Sequence, residues 1–96
     1  MQQISPSELK AQLTTDTELL LIDVREPWEH EAYNIGGLLI PVSKMMARIN
    51  EVPKDKEVVI YCEKGIRSVI VIQRLENMGY TNLINLSGGM KAWKEM

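Results

Sequence analysis

The segment Glu57–Ser68 reads Glu-Val-Val-Ile-Tyr-Cys-Glu-Lys-Gly-Ile-Arg-Ser and combines a strand, a loop and the start of a helix. The apolar, β-branched run Val58–Tyr61 predicts a buried strand. This strand ends at Cys62, the single cysteine of the chain, and Gly65 lies in the loop that follows. A thiol between a strand and a helix N-terminus lies where backbone N–H groups and the helix dipole favour negative charge. The segment therefore predicts a place for a thiolate, a persulfide or a bound anion.

The rest of the chain alternates predicted strands with predicted helices. The other strands are predicted at Leu19–Ile22, Leu38–Ile40 and Leu83–Leu86, with a short edge strand at Ile4. The helices are predicted from Ser5 to about Asp16, at Glu26–Glu31, briefly after Ser43, at Arg67–Met78 and at Met90–Lys94. Strands that are continuously apolar suit a parallel sheet covered on both faces. The alternation predicts an α/β fold, a parallel sheet with helices on both faces.

Local signals mark the ends of two helices. Ser5 and Glu8 have the spacing of a capping box at the start of the first helix. Leu9 and Leu13 then share one of its faces. Gly79 is placed to end the long helix that follows the cysteine loop. That helix is apolar around much of its circumference, which predicts a central position.

Composition excludes several classes of function. The 96 residues predict one domain, 1–96, with an apolar fraction of 45% and a charged fraction of 25%. A net charge of −2 without a cluster of Lys or Arg gives no electrostatic support for binding nucleic acid or an acidic membrane. One cysteine excludes an internal disulfide and a multi-cysteine zinc site and fits a reducing compartment. No signal peptide or membrane span is visible, so we expect a cytoplasmic protein. We also expect no metal and no cofactor.

Three segments are predicted to meet at one edge of the sheet. In parallel sheets, ligands bind at the carboxyl ends of the strands. Asp23 and Arg25 follow one strand, Cys62 ends another, and the turn Ser87–Gly89 follows the last. We therefore expect these segments to lie together around the cysteine.

Cys62 has two interpretations. A free cysteine is often simply a small buried hydrophobic residue. Here Lys64 and Arg67 lie nearby, and such surroundings favour the reactive thiolate. Gly65 permits a positive φ, which lets successive N–H groups turn inward around an anion. The sequence favours a reactive thiol.

The neighbouring polar residues keep alternative roles. Arg67 is predicted to bind an anion at the loop mouth or to hold loop carbonyls, and Ser68 to bond loop carbonyls or cap the helix. The residues Asp23, Arg25 and Glu26 form either a catalytic acid–base set or, as we favour, a supporting ion-pair network. His30 lies in a charged stretch and is interpreted as a solvated surface residue. Without a histidine base, the loop itself must hold the thiolate.

Four motifs together resemble the rhodanese domain family. They are Asp23-Val-Arg-Glu26, Tyr61-Cys-Glu-Lys-Gly-Ile-Arg-Ser68, Gly79-Tyr80 and Ser87-Gly-Gly-Met-Lys-Ala-Trp93, and they cover nearly the whole chain in the expected order. The resemblance implies a five-stranded parallel sheet and sulfurtransferase activity. In that activity Cys62 takes a sulfane sulfur from thiosulfate or another persulfide and passes it to a thiol or to cyanide.

The resemblance also implies which residues surround the sulfur. The active-site loop of the family corresponds to Cys62 followed by Glu63, Lys64, Gly65, Ile66, Arg67 and Ser68. The loop amides would cradle the persulfide, and the basic side chains would steer an anionic donor.

Two positions depart from the family pattern. Asn34 stands where many members have histidine and cannot titrate. Glu63 places an acid beside the cysteine, which opposes thiolate formation and repels anionic donors. We therefore expect thiosulfate to be a poorer donor than a persulfide protein or a small thiol, with Lys64 offsetting part of the effect.

Two other functional classes compete with this interpretation. A cysteine phosphatase uses a Cys-x5-Arg loop around phosphate, whereas four residues separate Cys62 from Arg67 here. A non-catalytic interaction module would not need the cysteine. A combined role, in which the chain delivers sulfur to a partner protein, stays open.

Overall fold

A computed structural model describes residues 1–15 and 18–96 and contains one five-stranded sheet in that part of the chain. The strands are β1 Gln2–Ile4, β2 Leu20–Asp23, β3 Leu38–Leu39, β4 Val58–Tyr61 and β5 Leu83–Leu86. Their order across the sheet is β1-β5-β4-β2-β3, and every neighbouring pair is parallel. The predicted fold, an α/β protein with a five-stranded parallel sheet, is confirmed.

In the described residues, three α-helices and two 3-10 helices connect the strands, and a fourth α-helix follows β5. The helices are α1 Pro6–Thr15, α2 Pro27–Ala32, α3 Ile66–Glu76 and α4 Gly89–Lys94. The brief helix predicted after Ser43 is present as two 3-10 helices, Val42–Lys44 and Ile49–Glu51, and Ser43 lies inside the first of them and does not cap it. Such short turns let the chain change direction while Met45 stays buried. Among the described residues no helix is both long and apolar enough to cross a membrane.

The sheet has an apolar core on each face, as the continuous apolar strands predict. Side chains of β4 alternate between the two cores, so that Ile60 and Cys62 lie on one side and Val59 and Tyr61 on the other. Helix α3 covers the first core, whereas α1 and α4 cover the second through Leu9 and Met90. Cys62 therefore lies between the sheet and α3.

Helix α3 is less buried than its composition predicts. Ile66 is 65% exposed and Ile70 42% exposed, whereas Val71, Ile72 and Leu75 are buried. The predicted central position is wrong because α3 packs one face on the sheet and leaves the other in solvent. The helix ends at Glu76, and Gly79 follows with a φ of +96° as its predicted terminator.

The start of α1 agrees with its sequence signal. The backbone N–H of Ser5 donates to Glu8 Oε1 at 3.0 Å, and the Glu8 N–H donates to Ser5 Oγ at 3.2 Å, so the predicted capping box is confirmed. Leu9 is buried, but Leu13 is 36% exposed. The predicted end near Asp16 lies outside the described residues.

Candidate active site around Cys62

The sulfur of Cys62 accepts hydrogen bonds from the loop backbone. The N–H of Gly65 lies 3.1 Å from Sγ and the N–H of Ser68 lies 3.4 Å from it. Gly65 adopts a φ of +87°, the left-handed conformation that turns its N–H inward. Cys62 is only 1% exposed. The loop thus has the anion-binding geometry that the sequence predicts.

Helix α4 holds the carbonyl side of the same loop. The N–H of Met90 donates to the Cys62 carbonyl at 2.9 Å, and the N–H of Lys91 donates to the Glu63 carbonyl at 2.8 Å. This close approach requires Gly89, because a Cβ there would lie 2.4 Å from the Cys62 carbonyl oxygen. Two backbone N–H groups at the start of α4, which have no partner within the helix, thereby donate to carbonyls of the loop. The turn Ser87–Gly89 does lie against the cysteine loop, as expected from the strand ends.

Ser68 has neither of its predicted roles. Its hydroxyl lies 3.3 Å from Cys62 Sγ and donates to Asn85 Oδ1. Both Ser68 and Asn85 are buried. Asn85 was not predicted as a site residue, although it is a polar residue inside the apolar strand β5 and buried polar groups need partners.

Arg67 is held by a carboxylate that the sequence analysis did not assign to the site. Its Nη1 and Nη2 lie 2.7 and 2.8 Å from the two carboxylate oxygens of Glu29 on α2. The Arg67 guanidinium lowers the pKa of Glu29 to about 2, and Glu29 in turn raises the pKa of Arg67. Arg67 therefore does not hold loop carbonyls, and its predicted binding of an anion at the loop mouth stays a prediction. Arg67 and Glu29 meet because α2 lies beside α3. Their spacing along the chain does not indicate this contact.

Asp23 and Arg25 form the supporting network that the sequence favours. The buried Asp23 carboxylate accepts from the backbone N–H of Arg25 at 2.9 Å and from its Nη2 at 2.9 Å. Arg25, only 2% exposed, also donates from Nη1 to Glu63 Oε1 at 3.1 Å and from Nη2 to the Tyr33 carbonyl at 2.6 Å. One guanidinium thus connects the end of β2 to the cysteine loop.

Glu26 lies apart from this network, which corrects its predicted place there. It is exposed at the N-terminus of α2, and its backbone N–H donates to Glu29 Oε1 at 3.0 Å. The reason is that Glu26 begins the helix, so its backbone serves as a capping donor. Glu26 consequently supports the carboxylate that holds Arg67.

His30 is not a solvated surface residue as predicted. Its Nδ1 lies 2.8 Å from Asp23 Oδ2, and the side chain is 22% exposed. A buried carboxylate needs partners for both oxygens, and the imidazole adds to the bonds that Arg25 makes. In the sequence, His30 lies between two glutamates, and this charged stretch suggested a solvated position.

Glu63 has two cationic partners. Arg25 Nη1 lies 3.1 Å from Oε1 and Lys94 Nζ lies 3.3 Å from Oε2. These cations compensate the negative charge that was expected to oppose the thiolate and repel anionic donors. The expectation treated Glu63 as an isolated charge, and the tertiary contacts change that premise.

A cavity of about 410 Å³ opens above the sulfur. Its lining consists of Glu29, Cys62, Glu63, Lys64, Ile66 and Arg67. A second cavity, of about 290 Å³, shares Glu29 and Glu63 with it and is bordered by Trp28, which is 71% exposed. A nucleophilic sulfur at the floor of an open, partly apolar cavity can attack a small or a chain-borne electrophilic atom.

Relatives of this chain share its fold and much of its sequence. The model of the Rhodanese-like domain family matches residues 5–96. A protein named sulfurtransferase from Allochromatium vinosum is 36% identical over 94 residues, which are 97% of this chain and 88% of that protein. The Bacillus subtilis protein YqhL is 46% identical over 74 residues, 76% of this chain and 59% of that protein.

Solved structures agree with these sequence matches. The crystal structure of a rhodanese-like domain protein from Staphylococcus aureus superposes with a TM-score of 0.89 at 33% identity. The superposition covers 97% of this chain and 91% of that one. By the family match, the sequence identity and the shared fold, this chain belongs to the rhodanese-like domain family.

Proposed function

We propose that this protein is a rhodanese-type sulfurtransferase in which Cys62 carries the sulfur as a persulfide. The observation that carries the proposal is the position of Cys62 Sγ, which receives two backbone N–H groups at the floor of an open cavity. Its relative in Allochromatium vinosum is named a sulfurtransferase, which supports the same class of reaction. A free thiol as the only cysteine fits a reducing, cytoplasmic location.

The chemistry proceeds in two displacements. The Cys62 thiolate attacks the outer sulfur of the donor, and a new S–S bond forms as the bond between that sulfur and the rest of the donor breaks. The leaving group, sulfite from thiosulfate or a thiolate from a persulfide, departs with the electron pair. An acceptor thiolate or cyanide then attacks the outer sulfur of the Cys62 persulfide and releases the Cys62 thiolate.

The charges around the cavity favour a persulfide over thiosulfate as donor. Glu29 compensates Arg67, so this guanidinium is not free to bind a dianion. Arg25 and Lys94 are in turn compensated by Glu63. Lys64 is exposed at the cavity and supplies a local positive charge. We therefore infer the same donor preference as the sequence predicts, for a different electrostatic reason.

The acceptor side fits a thiol on a small molecule or on a partner protein. The second cavity adjoins the first and shares Glu29 and Glu63 with it, which leaves room for a group larger than cyanide. Exposed Trp28 and Ile66 border the two cavities and offer apolar contacts. A sulfur-accepting protein is thus a proposed partner beside small thiols and cyanide.

The geometry is less suited to a phosphatase. Phosphate-binding loops use a free arginine fork against the phosphate oxygens. Here the Arg67 fork is occupied by Glu29. Backbone N–H groups surround the sulfur, and Arg67 is not free to bind phosphate oxygens. This arrangement supports transfer of a single sulfur atom.

Intact mass spectrometry tests the proposal. The protein is incubated with thiosulfate and, separately, with glutathione persulfide, and a gain of one sulfur atom is expected. Cys62→Ser should abolish the gain, and subsequent addition of cyanide should remove the sulfur and form thiocyanate. Absence of an adduct with both donors, combined with hydrolysis of a phosphate ester, would overturn the proposal. Absence of both activities would favour an interaction module.

A further inference from the structure

A chain of hydrogen bonds runs from the cysteine, at the end of the central strand β4, to the edge strand β1. Ser68 Oγ lies 3.3 Å from Cys62 Sγ and donates to Asn85 Oδ1 on β5. Asn85 Nδ2 donates to Gln3 Oε1 on β1 at 2.8 Å, and the same oxygen accepts from Ser87 Oγ at 3.0 Å. The first three members, Cys62, Ser68 and Asn85, are all at least 97% buried, since their exposed fractions are 1%, 0% and 3%.

The direction of this chain is set by Asn85. An amide has donors on one side and an acceptor on the other, and the bond to Gln3 uses the donor side. The oxygen of Asn85 therefore faces Ser68 and accepts its hydroxyl hydrogen. A hydroxyl has a single hydrogen, so only a lone pair of Ser68 Oγ remains to face Cys62 Sγ.

This arrangement suits one protonation state of the sulfur. A neutral thiol can donate its S–H to the lone pair of Ser68. A thiolate has no hydrogen to donate, and beside the backbone N–H groups of Gly65 and Ser68 it could gain a third donor only from the Ser68 hydroxyl, whose hydrogen Asn85 already holds. Asn85 and a thiolate thus compete for the same hydrogen, and hydrogen bonds to a charged group are the stronger kind.

We propose that Asn85 is a positioning residue that sets the balance between thiol and thiolate at Cys62 by holding the hydroxyl hydrogen of Ser68. The inference rests on the proposed role of Cys62 as the sulfur-carrying nucleophile and adds a residue from outside its loop. It places part of the control of the reaction on β5, a strand that does not line the cavity.

The other groups that act on the sulfur stay constant when Asn85 is changed. The charged residues that line the cavity are Glu29 on α2, Glu63 and Lys64 in the loop, and Arg67 on α3. Behind them, Asp23 at the end of β2 acts on Arg67, and Arg25 just after β2 and Lys94 on α4 pair with Glu63. Substitution of Asn85 by an apolar residue alters none of these charges, so a change in sulfur reactivity can be traced to the hydrogen bond.

The test is the rate of alkylation by iodoacetamide at neutral pH, which reports the thiolate at the only cysteine. Asn85→Leu removes the competing acceptor and leaves the hydrogen of Ser68 free for the sulfur. We expect alkylation to become about tenfold faster, the factor that one charge-assisted hydrogen bond supplies. Asn85→Asp retains the acceptor and is expected to react no faster than the wild type.

A double substitution separates this role from a structural one. In a Ser68→Ala background the hydroxyl is absent, so Asn85→Leu should no longer change the rate. Ile84→Val, a conservative change on the same strand, should leave the rate unchanged and serves as the control for loosened packing. Asn85→Val provides the same comparison if the leucine variant does not fold.

Two results would overturn the inference. One is an unchanged or slower rate in Asn85→Leu and Asn85→Val, and the other is an equal acceleration in the Ser68→Ala background. Alkylation needs no sulfur donor, so this test is independent of persulfide formation. Failure of the mass experiment would therefore refute the proposed function, whereas failure here would refute only the role of Asn85.

Discussion

Glu29 and Arg67 form a bidentate ion pair across the mouth of the Cys62 cavity. Their contacts of 2.7 and 2.8 Å join α2 to α3, and both residues line the cavity. The Glu29 side chain is 12% exposed and that of Arg67 37% exposed. The pair determines how much positive charge an incoming donor meets.

Release of Arg67 should change the choice of donor. In Glu29→Gln the guanidinium loses its counter-charge, so the catalytic efficiency with the thiosulfate dianion should rise about three- to tenfold relative to a simple alkyl persulfide, which carries a single negative charge. Steady-state kinetics with both donors measures the ratio. Glu31→Gln, on the exposed side of the same helix, is the matched control and should leave the ratio unchanged.

The reverse change should act in the opposite direction. Arg67→Ala leaves the Glu29 carboxylate unpaired at the mouth, so the activity with the thiosulfate dianion should fall more than the activity with the singly charged persulfide. An equal loss for both donors would mean that Arg67 mainly shapes the loop. An unchanged ratio in both variants would contradict the electrostatic role of the pair.

The ion pair of Glu29 and Arg67 should make the free energy of unfolding depend on pH in the acid range. The folded state holds the pKa of Glu29 at about 2, below its ordinary value of 4.5, so the unfolded chain binds the proton more readily. The stabilisation is therefore present above about pH 4.5 and is lost as the pH falls toward about 2. Urea unfolding of the wild type and Glu29→Gln should differ near neutral pH and converge in acid. A difference that stays constant down to pH 2 would contradict the linkage.

Removal of Glu63 should cost stability. Its carboxylate is a partner of Arg25, which is only 2% exposed, and truncation would leave one side of a buried guanidinium without its acceptor. We expect Glu63→Ala to lower the free energy of unfolding by about 1–3 kcal/mol. Lys64→Ala, an exposed neighbour in the same loop, should cost less than about 0.5 kcal/mol. Equal urea midpoints for the two variants would argue against the connection through Arg25.

The same variant tests the electrostatic effect of Glu63. Without Glu63, Arg25 and Lys94 lose a common counter-charge, so the rate with thiosulfate should still rise, as the sequence predicts. Single-turnover persulfide formation measures it. If Glu63→Ala is fully folded and forms the persulfide more slowly, the main role of the carboxylate is to position the loop.

Gly89 should be sensitive to a single added methyl group. Its φ is +62°, and a Cβ would lie 2.4 Å from the Cys62 carbonyl oxygen, so Gly89→Ala has to displace either α4 or the loop. A loss of more than about 2 kcal/mol in the free energy of unfolding is expected, with slower persulfide formation. Gly36→Ala is the control, because its φ is +96° but a Cβ there meets nothing within 4 Å. This control should cost only about 1 kcal/mol of backbone strain.

Much of the fold could be predicted from local patterns. The apolar run before Cys62 became β4, the capping box of Ser5 and Glu8 begins α1, and Gly65 has its positive φ. These features depend on residues that are close in sequence. Errors appeared where burial was assigned from composition, as for the exposed Ile70 of α3.

By itself, the sequence determined that a lone thiol would end a buried strand, next to a glycine that turns backbone N–H groups toward it. The tertiary structure alone decided the partners of the polar side chains: Glu29 for Arg67, Asn85 for Ser68 and His30 for Asp23. The physical reason is the distance along the chain over which each feature is determined. Backbone conformation follows from neighbouring residues, whereas a contact between side chains depends on how helices pack against the sheet. That packing brings together Glu29 and Arg67 from positions 38 residues apart, and with them the charge that the sulfur donor will meet.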